Sequence, residues 1–210
     1  MQENGKSPRN NNHPTRQRLL TAVVDMMETT PPEDIHSEYV LQETGISRGS
    51  LYHHYEDFTE LLEDAMLYRF SVGVEASTAA MEKITSTARD KAEFFSLLEG
   101  VTRATQARKR AAVRFDRARM LTMAQYNERF RLKLSRVQAR LTDSLTECIA
   151  QAQAKGWANP NVQARTLAVF IQAYTLGRLV DDVSATQMDD ADWESLIATV
   201  ISQALGGPAS

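Results

Sequence analysis

The stretch "SRGSLYHHY", residues 47–55, gathers hydroxyl, guanidinium, phenol and imidazole groups on what reads as one short helix. Arg48 and Ser50 can hydrogen-bond base edges or phosphates, while Tyr52, His53 and His54 suit phosphate oxygens through a hydroxyl or a ring N–H. Leu51 and Tyr55 are apolar enough to face a core instead. The adjacent His53 and His54 point about 100° apart on a helix, so they cannot share a metal ion as an i, i+4 pair can. No metal site is expected. There is no G-x-S-x-G, no phosphate loop and no metal-ligand cluster, and the carboxylates are scattered without a pattern that proposes a reaction. No catalytic residue, no cofactor and no enzyme activity are expected. Cys148, the one cysteine, sits in an amphipathic pattern and reads as a small buried thiol in a reducing cytoplasm.

These groups need elements to hold them. Apolar residues Leu19, Leu20, Val23, Val24, Met26 and Met27 recur at three-to-four spacing, which predicts a first helix from Thr15, capped by that residue. The prolines of "TTPPED" end it. Ser37 is a plausible N-cap for a second helix through Thr44, and Gly45 permits a sharp turn. Ser47 then caps the third helix, with Val40, Ile46 and Leu51 locking the second and third together. That is a helix-turn-helix pattern, whose second helix can project into a DNA major groove. Glu56 and Asp57 follow as solvated and capping residues, Asp57 opening a fourth helix. The remainder reads as long helices: "DKAEFFSLLEGVTRATQA", "KRAAVRFDRARMLTMAQ", "NERFRLKLSRVQARLTDSLTECIAQAQAKG", "NVQARTLAVFIQAYTLGRLVDDV" and "DDADWESLIATVISQALGG". No strand alternation competes, so the fold class is all-α.

The 210 residues suffice for a well-buried core. No apolar run approaches a membrane span, and the N-terminus lacks the apolar middle of a signal peptide. A cytoplasmic protein without a membrane partner is expected. The net charge of −3 is unevenly spread. Residues 1–69 hold six basic against twelve acidic residues, a net of −6. Residues 100–140 hold twelve basic against two acidic, a net of +10. Three readings of the basic stretch stay open: a solvated surface paired with acidic neighbours, an anionic effector held by inward arginines such as Arg103, Arg114 or Arg119, or a surface for DNA or an acidic partner.

Residues 15–70 resemble the DNA-binding domain of the TetR family of bacterial transcriptional regulators. The likeness rests on "RQRLLTAVV", then "VLQETGISRGSLYHHY" with Gly45, Ser47, Gly49, Leu51, Tyr52, His54 and Tyr55 in family-like places, then "ELLEDAM". It needs no gaps and covers about a quarter of the chain. The stretch "AQAKGWANPNVQARTLAVFIQAYTLGRLVDDV" is also similar to the penultimate helix of that family and its lead-in. The resemblance implies about nine helices in three regions: a flexible tail (1–14), a helix-turn-helix DNA-binding domain (15–60) and a helical effector-binding and dimerisation domain (61–210). It implies a homodimer on double-stranded DNA whose reading heads match half-sites about one helical turn apart. A small-molecule effector would shift the spacing of the heads. DNA contacts fall on Arg16, Ser37, Ser47, Arg48, Gly49, Ser50, Tyr52, His53 and His54. A ligand pocket would draw on Phe94, Leu98, Arg103, Phe115, Arg119, Met123, Tyr126 and Tyr174, and a dimer interface on Phe170, Tyr174, Gly177, Trp193, Ile197, Val200 and Ile201.

The sequence departs from the family pattern where phosphate affinity is made. Phe58 stands where a lysine is common and Glu38 where a basic residue is common. Pro31 replaces a usual glycine, and Leu41 and Thr44 replace alanines. Lys6, Arg9, Arg16 and Arg18 are the expected compensation. The leading reading is a ligand-responsive regulator, a repressor rather than an activator. The rival is a helical interaction protein of the same fold with weak or lost DNA binding. Salt-dependent DNA binding separates them.

Overall fold

The structure, a computed structural model, describes residues 13–206. Among them are nine helices of seven residues or more, one four-residue helical turn, two short 3-10 turns and no strand. The all-α class is what the chain adopts. It divides into two compact units that meet in sequence at Phe70 and Ser71, beyond the 60/61 boundary expected. Leu61, Ala65, Met66 and Leu67 are buried, so the first unit keeps the opening turns of the fourth helix.

The first unit begins with α1 (Pro14–Met26), which buries Leu19, Val23 and, just past its end, Met27 at four-residue spacing. Its cap is His13, whose Nδ1 accepts the Thr15 N–H at 3.2 Å, not Thr15 itself. Pro14 belongs to the helix, where its fixed φ and missing N–H are harmless. The rest of the expected flexible tail, with Lys6 and Arg9, lies outside the described residues. A 3-10 turn at Pro32–Asp34 leads to α2 (Ser37–Thr44). Ser37 is inside the first turn, and the cap position falls to His36 without a side-chain bond. Gly45 ends α2 at φ +64°, in the left-handed region that glycine enters without steric cost. Ser47 Oγ then accepts the Ser50 N–H at 3.2 Å and starts α3 (Arg48–His54). Val40, Ile46 and Leu51 are all buried, as their role in the turn requires. α1 packs on both α2 and α3. Asp57 Oδ1 accepts the Glu60 N–H at 2.7 Å, and the Glu60 carboxylate returns to the Glu56 N–H at 2.7 Å. This reciprocal cap opens α4 (Phe58–Thr87).

The second unit holds the remainder of α4 with α5 (Lys91–Gln106), α6 (Ala111–Tyr126), α7 (Glu128–Ala154), α8 (Ala164–Gly177), α9 (Leu179–Asp182) and α10 (Asp190–Gly206). Asp90 and Asn127 cap α5 and α7 by accepting the N–H groups of Glu93 and Phe130. α7 packs on α8 and α6, and α5 packs on α10. The core includes Met81, Ile84, Phe94, Ile149, Leu167, Ile197, Ile201 and Leu205. Cys148 is buried among them, and burial pushes its thiol up to about 11, as an inert packing residue requires.

The segment read as one helix from Asn161 through Val183 is broken at both ends. Asn159 and Val162 give their carbonyls to the Gln153 side chain, so the lead-in stays irregular and α8 starts at Ala164. At the other end Arg178 is almost wholly buried. Its guanidinium reaches the Gln106 carbonyl and the Asp190 carboxylate, and the chain resumes as the single turn α9.

Candidate nucleic-acid interface

The third helix is tied at both ends. Ser47 holds its first turn. At its last turn Arg16 donates to the His54 carbonyl at 2.7 Å, pairs with Asp64 and lies 4.0 Å over the Tyr55 ring. The same device closes the two preceding helices. Arg18 donates to the Thr44 carbonyl at the end of α2 (2.6 Å), and Arg69 donates to the Met27 carbonyl at the end of α1 (2.5 Å). Each arginine satisfies a carbonyl that the helix leaves without an internal partner, and its charge opposes the negative end of the helix dipole.

The residues expected to contact DNA differ in placement. Ser47, Arg48, Gly49, Tyr52 and His53 are exposed along α3, and Ser50 and Ser37 are half-buried. Arg16 is not on that face. It is buried and engaged three times within the unit, at the end of α3, on Asp64 and over the Tyr55 ring. His54 is half-buried with its ring 4.5 Å from that of His13 and 5.1 Å from that of His53. Burial first, then the neighbouring His13, His53 and Arg16 charges, holds its pKa below the ordinary value. Tyr55 is fully buried, and burial raises its phenol well above the usual range.

One pairing and one surface residue escaped the sequence reading. Glu38 in the first turn of α2 accepts from Arg48 Nη2 at 2.7 Å, and both side chains remain largely exposed, 63% and 62%. Tyr39 is 58% exposed beside buried Val40, with its ring 5.8 Å from that of His36. The aromatic out of step with the apolar spacing of α2 was the available signal. The Glu38–Arg48 pairing had none, since nothing in the spacing says which carboxylate an arginine will meet.

In the second unit, the structure does not bring the eight pocket residues together. Leu98 and Arg103 line a groove of about 250 Å³ between α5 and α10, with Phe95, Thr102, Ile197 and Ser202. Phe94 is core, while Phe115 and Tyr126 stand on the surface at 42% and 82% exposure. α6 has only a weak apolar face, so periodicity could not assign its sides. Arg119 and Met123 are half-buried on the same helix. Tyr174 is half-buried, with burial raising its phenol and a bond to Thr102 opposing that. The arginines named for an anion have acids already. Arg103 meets Glu194 at 3.2 Å, Arg114 meets Asp182 at 2.6 Å and Arg119 meets Asp116 at 3.4 Å. A polar cluster that spacing did not reveal lies between α6, α7 and α8: Arg117 donates to Gln138 and Gln172 at 3.2 and 3.0 Å, and Gln172 donates to Thr142 at 3.1 Å.

The expected dimer residues also divide. Ile197 and Ile201 are buried in the core of their own unit, because they are the residues α10 turns toward α5. Trp193 is half-buried, and its indole N–H donates to Gln106. Tyr174 and Val200 are half-buried. Phe170 and Gly177 are exposed in a stripe with Val169, Ala173 and Val180, and Leu196 is exposed on α10.

A short helix-turn-helix followed by a longer helical unit is also the arrangement of solved regulators. A protein from Mesorhizobium loti described as a TetR-family transcriptional regulator superimposes with a TM-score of 0.69 at 10% identity, over 91% of this chain and 96% of that one. The chain has the TetR-family fold. A protein from Saccharomonospora viridis described as a transcriptional regulator, solved with choline, matches with a TM-score of 0.65 at 15% identity, over 92% and 98% of the two chains. By sequence the chain is 22% identical over 191 residues to the nucleoid occlusion factor SlmA of Shewanella oneidensis, covering 85% of this chain and 90% of that protein. No protein-family model matches the chain. Among the described residues of this TetR-like fold there is no His, Cys, Asp and Glu group able to hold a metal ion, and no helix long and apolar enough to cross a membrane.

Proposed function

We propose that this chain is a cytoplasmic, homodimeric, sequence-specific DNA-binding transcriptional regulator. In this reading it is a repressor that a small molecule releases from a palindromic operator. The observation that carries the reading is the exposed polar face of α3, with Arg48, Tyr52 and His53 in solvent on a helix fixed at both ends. Rigid presentation keeps the ordering cost of a groove contact low. The TetR-like fold supports the DNA-binding assignment, and the exposed stripe of Val169, Phe170, Ala173, Gly177 and Val180 supports a second copy as partner. Small residues in that stripe allow close helix approach. The solved relative with choline supports a small organic effector. The internal pairing of Arg103, Arg114 and Arg119 argues for an effector that is not strongly anionic.

The test is selection from a pool of random duplex DNA at two salt concentrations, with Arg48→Ala as control. A palindrome enriched by the wild type, with selectivity at some of its positions lost in Arg48→Ala, is the expected result. The second reading, a helical interaction protein of the same fold, is favoured by the acidic reading head and by the neutralisation of Arg48 by Glu38. It predicts no enriched sequence even at low salt.

A further inference from the structure

Arg48 is the one lysine or arginine on either α2 or α3, which also carry Glu38 and Glu43. Its Nη2 is 2.7 Å from Glu38 Oε1, ten residues away in sequence. An ion pair this exposed contributes little to folding, so stability does not account for it. Its consequence is local. The pair cancels the only full positive charge on the two helices and fixes one edge of the guanidinium. The backbone N–H of Glu38, then Ser37, help to hold the carboxylate in its charged form.

A guanidinium has five donors in a rigid fork. With one nitrogen on Glu38, other N–H groups remain for an acceptor pair, and guanine presents such a pair through O6 and N7 in the major groove. A phosphate contact is disfavoured, since it brings a second anion beside the Glu38 carboxylate. We infer that Glu38 is a specificity-determining residue that acts through Arg48, holding the guanidinium for a guanine edge and withholding it from phosphate. This rests on the DNA-binding reading above. Sequence-independent affinity is largely phosphate affinity, so the pair lowers binding to wrong DNA more than binding to the right site.

The test compares wild type, Glu38→Gln, Arg48→Ala and the double variant on two duplexes, the one selected by the wild type and a scrambled one, at two salt concentrations. Both side chains are in solvent, so equal thermal midpoints are expected and verify folding. Glu38→Gln is expected to bind the scrambled duplex about tenfold more tightly, with a salt slope steeper by about one counterion. Its preference for the selected duplex falls about tenfold. In the Arg48→Ala background the same substitution leaves the preference within about twofold, the non-additivity of two groups acting as one. Tighter binding to both duplexes with an unchanged preference overturns the inference, because the carboxylate is then only a fixed charge. So does an equal loss of preference in both backgrounds. A wild type that enriches no sequence at either salt overturns the DNA-binding reading and this inference together; the other two results leave that reading standing.

Discussion

Arg48 with Glu38 and Arg114 with Asp182 are both arginine–carboxylate pairs between separate helices, yet they lie at opposite depths. The first pair is 62% and 63% exposed; the second is 4% and 2% exposed, with Arg114 also donating to the carbonyls of Thr105 and Ala107. In water a pair contributes little, whereas in a low-dielectric interior each charge depends on the other. The buried pair is therefore part of how the second unit folds. The exposed pair is free to be selected for what it does to a ligand. Within residues 100–140, Arg103, Arg108 and Arg114 meet Glu194, Asp190 and Asp182 on the later helices. In the acidic first unit three arginines are drawn to helix ends, which leaves Arg48 as the one lysine or arginine on α2 and α3.

The largest expected effect breaks the buried side of the comparison. Arg114→Ala strands the Asp182 carboxylate and should cost about 3–5 kcal/mol, measured by urea unfolding, while Arg48→Ala should leave the unfolding midpoint unchanged. A similar loss for both would mean that depth does not separate the two pairs. A smaller effect sharpens the first unit's side. Ser47→Ala removes the cap of α3 and should destabilise by about 1 kcal/mol, with DNA affinity reduced as the first turn carrying Arg48 frays. The smallest is a dependence on pH. Because the folded state lowers the pKa of His54, the unfolded chain takes up its proton first as pH falls below about 6.5. Stability present at neutral pH should then decline as pH falls below about 6.5. His54→Gln should flatten that slope in thermal melts across the range; an unaltered slope would assign it to another group.

Much of the fold was readable because local chemistry set it. Ser47, Asp57, Asp90 and Asn127 all accept from an N–H three residues on, a relation that follows from chain order. Gly45 likewise stands where only a left-handed residue ends α2. The sites were read less well. Phe115 and Tyr126 were placed in a pocket and lie outside, since α6 has no strong apolar side. Ile197 and Ile201 were placed between copies and lie within one.

The sequence by itself determined the class, the helix-turn-helix and the polar composition of α3, because periodicity, caps and breakers act over a few residues. Only the tertiary structure decided which carboxylate each arginine meets. That choice depends on helices far apart in the chain coming together, as when Arg16 finds Asp64 and the end of α3, Arg178 finds Gln106 and Asp190, and Arg48 finds Glu38. Charge count is additive along a sequence, but electrostatic energy depends on distance and burial, and both are properties of the fold.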